Sequence, residues 1–316
     1  TVYAVCACSS RVISAHKFAW ADKGSRSVIE TFLIPETNPH WQSVLEECND
    51  NGLVNISSGV TFLGSGAQSL VFAVAYKTSK SEKKWKRGAI KIARDRFHSD
   101  DEKNKETMNN MRQHFDEGRT YLQEIVKVLG NERAVGPSFV SEMMQTKSKD
   151  LFYFIEPVGT PFSTEHFAWR AKMPYGNLDE DWLRTGYKLW HAAVAALFRF
   201  HSTLQQPQGD ARVYNLVRTL SGDLIWIDPR NAGDYETDFE DLLKSFFVKE
   251  YRLMCVGDVT KVVGAYKNLT ELESSRRSAQ ECEKVANSAF TAVIFRWYDK
   301  GIYTSPASIA SQALGQ

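Results

Sequence analysis

Three oxygen-bearing side chains, Asp210, Asn215 and Asp228, follow one another at intervals of five and thirteen residues. The segment Gln208-Gly209-Asp210-Ala211-Arg212-Val213-Tyr214-Asn215 is polar and loop-like. After it, Leu216–Leu220 and Leu224–Ile227 are largely apolar and flank Ser221-Gly222-Asp223. Two such runs around a glycine turn predict a β-hairpin. That hairpin brings the three side chains to a shared end. Carboxylate and amide oxygens suit a hard cation such as Mg²⁺, and one carboxylate is left over to act as a base.

Two upstream stretches suggest chemistry with phosphate. Val60–Gly66 is β-rich and ends in Gly64-Ser65-Gly66, and a second strand-like run, Ser69–Val74, follows. Glycines permit φ > 0 and let backbone N–H groups approach phosphates. No helix follows them, which disfavours a dinucleotide-binding turn. Next, Gly88-Ala89-Ile90-Lys91-Ile92-Ala93 is an apolar strand with one lysine inside it, and a lysine in such a place needs an anionic partner. Helical spacing then appears from about Asn110 to Leu129, in Met111, Phe115, Tyr121, Leu122, Ile125 and Leu129, with Gly130 as the stop. Glu117 and Glu124 lie on that helix.

Taken in order, these residues resemble the kinase-like phosphotransferases, the group of protein kinases, aminoglycoside phosphotransferases and choline-type kinases. Gly64, Gly66 and Val71 match the glycine-rich loop, Lys91 the strand lysine, and Asp210, Asn215 and Asp228 the catalytic and metal-binding set. The Gly209-Asp210 pair is nearest the aminoglycoside phosphotransferase and choline kinase-like branch. This chain has Gln208 where that branch has His, and Pro229-Arg230 where protein kinases have Phe-Gly. The resemblance spans about residues 60–245. It implies a two-lobed α+β, protein-kinase-like fold, with a β-rich N-lobe and a mainly helical C-lobe. It also implies ATP and Mg²⁺ as cofactors and transfer of the γ-phosphoryl group to a hydroxyl. Asp210 would be the base and Arg212 would offset charge on the moving phosphoryl. Asn215 and Asp228 would hold the metal. Gly64, Ser65, Gly66 and Lys91, paired with Glu117, would hold phosphates, and the backbones of Glu156 and Val158 would meet the adenine. Asp241, in Asp-Leu-Leu-Lys, would brace the catalytic loop.

The acceptor expected is a small hydroxylated molecule, because the acidic helix around Asp238–Lys244 follows Asp228 almost at once and no Ala-Pro-Glu appears. A protein acceptor, AMP transfer and a pseudokinase that only binds nucleotide are the other readings. Nucleic acid is not an expected partner: 39 basic and 38 acidic residues leave a net charge of +1, which gives no selecting field. The Lys77–Arg96 stretch is the one feature favouring it. No apolar run reaches the ~18 residues of a membrane span. Cys6, Cys8, Cys48, Cys255 and Cys282 include no CxxC pair, and their odd number and scatter point to reduced thiols and a cytoplasmic location.

The elements that must position these residues divide the 316-residue chain into an N-terminal extension (1–58), an N-lobe (59–157) and a C-lobe (158–316). Expected elements are a strand in Val2–Ile13, a short helix over His40–Cys48, strands at Ser138–Met144 and Leu151–Pro157, and an aromatic loop at Ser163–Leu178. A long helix from Asp179 to Leu204 should carry His201 as a packing residue, and a last helix should run from Thr270, with Glu273 in a capping box, to Lys300.

Overall fold

The computed structural model describes residues 2–8, 11–18, 40–65, 69–93, 102–130, 135–172, 179–230, 232–248, 250–270 and 276–297. The chain divides into two units: Thr1–Asn131 with Pro137–Thr160, and Glu132–Gly136 with Pro161–Gln316. The α+β class holds, with strands prevailing in the first unit and helices in the second. Residues 1–58 fall in the first unit. No helix among the described residues is long and apolar enough to cross a membrane.

The first unit opens with an antiparallel pair, β1 (Val2–Cys8) and β2 (Arg11–Phe18), in place of the single strand expected. Helix α1 (His40–Asp50) follows. The main sheet has β3 (Val54–Asn55), β4 (Thr61–Ser65), β5 (Ser69–Tyr76), β6 (Lys86–Ala93), β7 (Phe139–Val140), β8 (Met144–Gln145) and β9 (Leu151–Glu156). Its path is β3-β5-β6-β9-β7, with β4 on β5 and β8 on β9. The single strand expected at Ser138–Met144 is thus two short ones. Alternation sorts β6 into two faces. Ile90 and Ile92 join Trp41, Val44, Leu45 and Cys48 of α1, together with Phe72, Phe152 and Phe154. Ala93 lies on the other face with Tyr153, Ile155, and Phe115 and Leu122 of helix α2 (Glu102–Leu129). Helix α2 begins eight residues before the start expected at about Asn110. Its first turns, Glu-Lys-Asn-Lys-Glu, have adequate helix propensity but no apolar period to reveal them.

The second unit is built on α4 (Glu180–Leu204). Asp179 caps it by accepting the Asp181 N–H at 3.0 Å. Helix α3 (Phe162–Arg170) occupies the first half of what was expected to be an aromatic loop. Phe162, His166 and Trp169 recur at helical spacing, and all three are buried. Trp169 and Trp182 stack at 4.7 Å and each indole N–H donates to the other's carbonyl, at 2.8 and 2.9 Å. The Trp169 ring leaves no room for a Cβ at Gly186, which would lie 2.3 Å from it. His166 donates from Nε2 to the Phe246 carbonyl at 2.7 Å, and burial pulls its pKa down to about 4.

The predicted hairpin is present as β10 (Leu216–Thr219) and β11 (Leu224–Trp226), in register Leu216↔Trp226. Helix α5 (Tyr235–Phe247) is capped by Asp234, which accepts the Thr237 N–H at 2.7 Å. Trp190 of α4 packs on Phe239, Phe246 and Phe247 of α5. The last helical segment is two helices, α6 (Val256–Thr270) and α7 (Arg276–Trp297). Thr270 therefore ends a helix rather than starting one, and the expected capping box at Glu273 lies outside the described residues.

Candidate functional site

In the second unit the loop after α4 is held by its own backbone, by one buried acid and by a few side-chain bonds. Asp238, on the first turns of α5 and 1% exposed, accepts the Gln208 N–H at 2.5 Å and the Gly209 N–H at 2.8 Å. His201 Nε2 lies 2.8 Å from the same carboxylate, and its Nδ1 lies 2.9 Å from the Tyr266 hydroxyl. Burial lowers the His201 pKa. A neutral ring then donates from Nε2 to Asp238 and accepts at Nδ1 from Tyr266. His201 is a packing residue, as its sequence position implied.

The acid that braces the loop is Asp238, and this corrects the expectation for Asp241. The two share a helix, one turn apart, but Asp238 is on the face toward Gln208–Gly209. Asp241 instead lies 3.9 Å from Arg212 Nη2, and burial raises its pKa.

Gln208, which stands where the related branch has His, is fully buried. Its Oε1 accepts the Asp210 N–H at 2.7 Å and its Nε2 donates to the Ile227 carbonyl at 3.3 Å. One side chain thus ties the loop to the strand that leads to Asp228. Gly209 has φ +80°, and a Cβ there would sit 2.1 Å from the Arg230 carbonyl oxygen. The Arg230 N–H in turn donates to the Gln208 carbonyl at 2.7 Å.

These contacts bring the predicted set together. Asn215 donates from Nδ2 to the Asp210 carbonyl at 2.8 Å, and the Ile227 N–H donates to the Asn215 carbonyl at 2.8 Å, so the residue before Asp228 is bonded to Asn215. Asp228 is half-buried with φ +53°. Asp210, 13% exposed at its side chain, has Arg212 Nε 3.1 Å from Oδ1 and Arg230 Nη2 3.4 Å from Oδ2. Three residues that build this loop, Gln208, Asp238 and Arg230, were not singled out as site residues from sequence. The acid on α5 was sought, but one turn too late. Nothing in the sequence pattern marks Arg230.

In the first unit, Gly64 sits in β4 at a register irregularity opposite Val71. A Cβ there would meet nothing within 4 Å. Ser65 ends β4, and Gly66 lies outside the described residues. Lys91 is 8% exposed. It is paired in register with Val71 and Tyr153, and its Nζ is 6.0 Å from each of the Phe115 and Tyr153 rings.

The expected Lys91–Glu117 ion pair does not form. Phe115, Arg119, Leu122 and Ile125 face the sheet, so Glu117 falls on the outer face of α2. There it binds Gln113 and His114, with 55% of its side chain exposed. Glu124 is exposed on the same helix.

At the end of β9, the Glu156 carbonyl already accepts the Ser138 N–H at 2.8 Å, and its carboxylate accepts the Tyr76 hydroxyl. Val158 is buried.

No protein-family model matches this chain, and no curated protein matches it. Solved structures do. Two crystal structures of the PknI kinase domain of Mycobacterium tuberculosis are among those it is similar to. One is 16% identical with a TM-score of 0.39, over 75% of this chain and 98% of that one. The other is 14% identical with a TM-score of 0.37, over 73% and 95%.

Proposed function

We propose that this chain is a kinase-like phosphotransferase that moves the γ-phosphoryl group of ATP to a hydroxyl of a small molecule, with Mg²⁺. The observation that carries this reading is the loop at 208–215. Its backbone is pinned by Asp238 and Gln208, while Asp210, Asn215 and Asp228 are gathered at one end of the β10–β11 hairpin. So many contacts around three side chains are what a preorganised site requires.

The residues fit the ion. Asn215 spends its amide N–H on the Asp210 carbonyl, and its Oδ1, an acceptor, suits a cation. With the Asp228 carboxylate this gives two protein oxygens, and Mg²⁺ commonly takes only one or two carboxylates, waters and phosphate oxygens for the rest. Bound there, it would offset negative charge on the phosphate oxygens.

Asp210 would orient the acceptor hydroxyl and take its proton as the oxygen–phosphorus bond forms and the bond to ADP breaks. Arg212, beside Asp210, would offset charge on the transferring group. Gly64, Ser65, Gly66 and Lys91 of the first unit would contact phosphates, with the backbones of Glu156 and Val158 toward the base. Glu117 has no part in this reading. A small acceptor is favoured over a protein because α5 starts at Tyr235. Residues 229–234 leave no length for the activation segment that protein kinases order after their metal-binding Asp.

Mass analysis of products after incubation with ATP, Mg²⁺ and a panel of hydroxylated metabolites tests the reading. A phosphoryl increment on an acceptor, with ADP formed, is expected. In Asp210→Asn the rate should fall by about 10²–10⁴ while ATP still binds. An adenylyl increment, or undiminished turnover in that variant, contradicts the assignment.

A further inference from the structure

Both oxygens of the Asp210 carboxylate face a guanidinium: Arg212 Nε at 3.1 Å on Oδ1 and Arg230 Nη2 at 3.4 Å on Oδ2. Each oxygen keeps an acceptor site, but two adjacent positive charges disfavour proton transfer to the carboxylate until one guanidinium withdraws. The two arginines are not equivalent. Arg212 is shared between Asp210 and Asp241, which lies 3.9 Å from its Nη2. Arg230 has Asp210 as its one side-chain partner among the described residues, at a long distance, and its side chain is 67% exposed.

Its main chain, by contrast, is fixed. The Arg230 N–H donates to the Gln208 carbonyl at 2.7 Å, its carbonyl accepts the Ala232 N–H at 2.8 Å, and Gly209 gives up its Cβ to let that carbonyl approach. The backbone of an exposed arginine is thus fixed beside the loop, and its side chain is 67% exposed. A planar fork so placed suits an oxyanion.

We propose that Arg230 determines the acceptor: the substrate carries a phosphate or carboxylate near its reacting hydroxyl, and that oxyanion draws Arg230 off Asp210, freeing the base. The proposal rests on the phosphotransferase reading and narrows it to anionic acceptors. A neutral polyol offers Arg230 no partner and leaves Asp210 covered.

Inorganic phosphate, titrated calorimetrically into the full chain with ADP present, probes the site without turnover. Wild type should bind it, and Arg230→Gln should bind roughly ten- to a hundredfold more weakly, the loss expected for a charge-assisted pair. Arg230→Lys should fall between them, since it keeps the charge and loses the fork. Absent binding, or equal binding by wild type and Arg230→Gln, overturns the proposal.

The second arm is ADP release with glycerol, glycerate and glycerol 3-phosphate, which share a skeleton and differ in charge. Wild type should prefer a charged member, glycerate or the phosphate ester telling which oxyanion is read. Arg230→Gln should raise KM for that member and raise kcat for glycerol. Preference for glycerol in wild type overturns the anionic acceptor and leaves the phosphotransferase reading standing. Arg230-dependent phosphate binding in a protein that turns over no ATP supports the anion site and counts against that reading instead.

Discussion

Gly64 and Gly209 both lie where sequence suggested contact with a nucleotide or its reaction, yet the molecule treats them differently. Gly209 has φ +80°, and a Cβ would collide with the Arg230 carbonyl at 2.1 Å. No other residue fits the fold there. Gly64 has an ordinary backbone conformation, and a Cβ there would meet no atom of the described residues within 4 Å. Packing among the described residues does not require glycine at that position; in the proposed function a phosphate would approach it. One glycine builds the scaffold of a loop, and the other could be replaced without a clash among the described residues.

Gly209→Ala gives the largest effect. A left-handed backbone costs an L-residue about 1–2 kcal/mol, and a clash with main-chain oxygen adds to it, so a loss above about 3 kcal/mol is expected in urea denaturation. Phosphoryl transfer should vanish with it, because Asp210 follows directly. Stability within experimental error of wild type would show that Arg230 and the loop separate easily.

Acid tests the same scaffold. His166 is buried, neutral, and has a folded pKa near 4 against about 6.5 when unfolded. Between those values the unfolded chain binds the extra proton. The stability is therefore complete above pH 6.5 and is lost as pH falls toward 4, by up to about 3 kcal/mol. Burial of His201 acts in the same direction. Urea midpoints from pH 7.5 to 5 should fall, and fall less in His166→Phe. A flat profile in wild type would mean that these rings are not held neutral.

Gly64→Ala is expected to have the smallest effect on stability, within about 0.5 kcal/mol of wild type, while weakening ATP binding severalfold because the added methyl occupies the approach to the backbone. Calorimetry with ATP alongside urea denaturation separates the two. If stability drops and binding does not, Gly64 belongs with Gly209 and the contrast fails.

Much of this was legible in the residues. The hairpin follows from two apolar runs around Ser221-Gly222-Asp223, and α4 from its wide apolar stripe and the Asp179 cap. The aromatic spacing of Phe162, His166 and Trp169 already encoded α3, but aromatics and a following polar stretch read as a loop. What sequence could not decide was which of two neighbouring acids points inward. Asp238 and Asp241 differ by less than one helical turn, as do Glu117 and the residues of α2 that face the sheet. The choice depends on how each helix is rotated against its neighbours. Arg230 was invisible for another reason: its place is set by main-chain bonds to Gln208 and close approach to Gly209, which leave no mark in residue type.

The central claim is that Asn215 and Asp228 hold the metal of an ATP-dependent phosphotransferase. Calorimetric titration of ATP, with and without Mg²⁺, into wild type and Asp228→Ala tests it most directly. Mg²⁺ should tighten ATP binding in wild type, and that enhancement should disappear in Asp228→Ala, since the carboxylate is the main protein counter-charge for the ion. Equal enhancement in both proteins, or none in wild type, would contradict it.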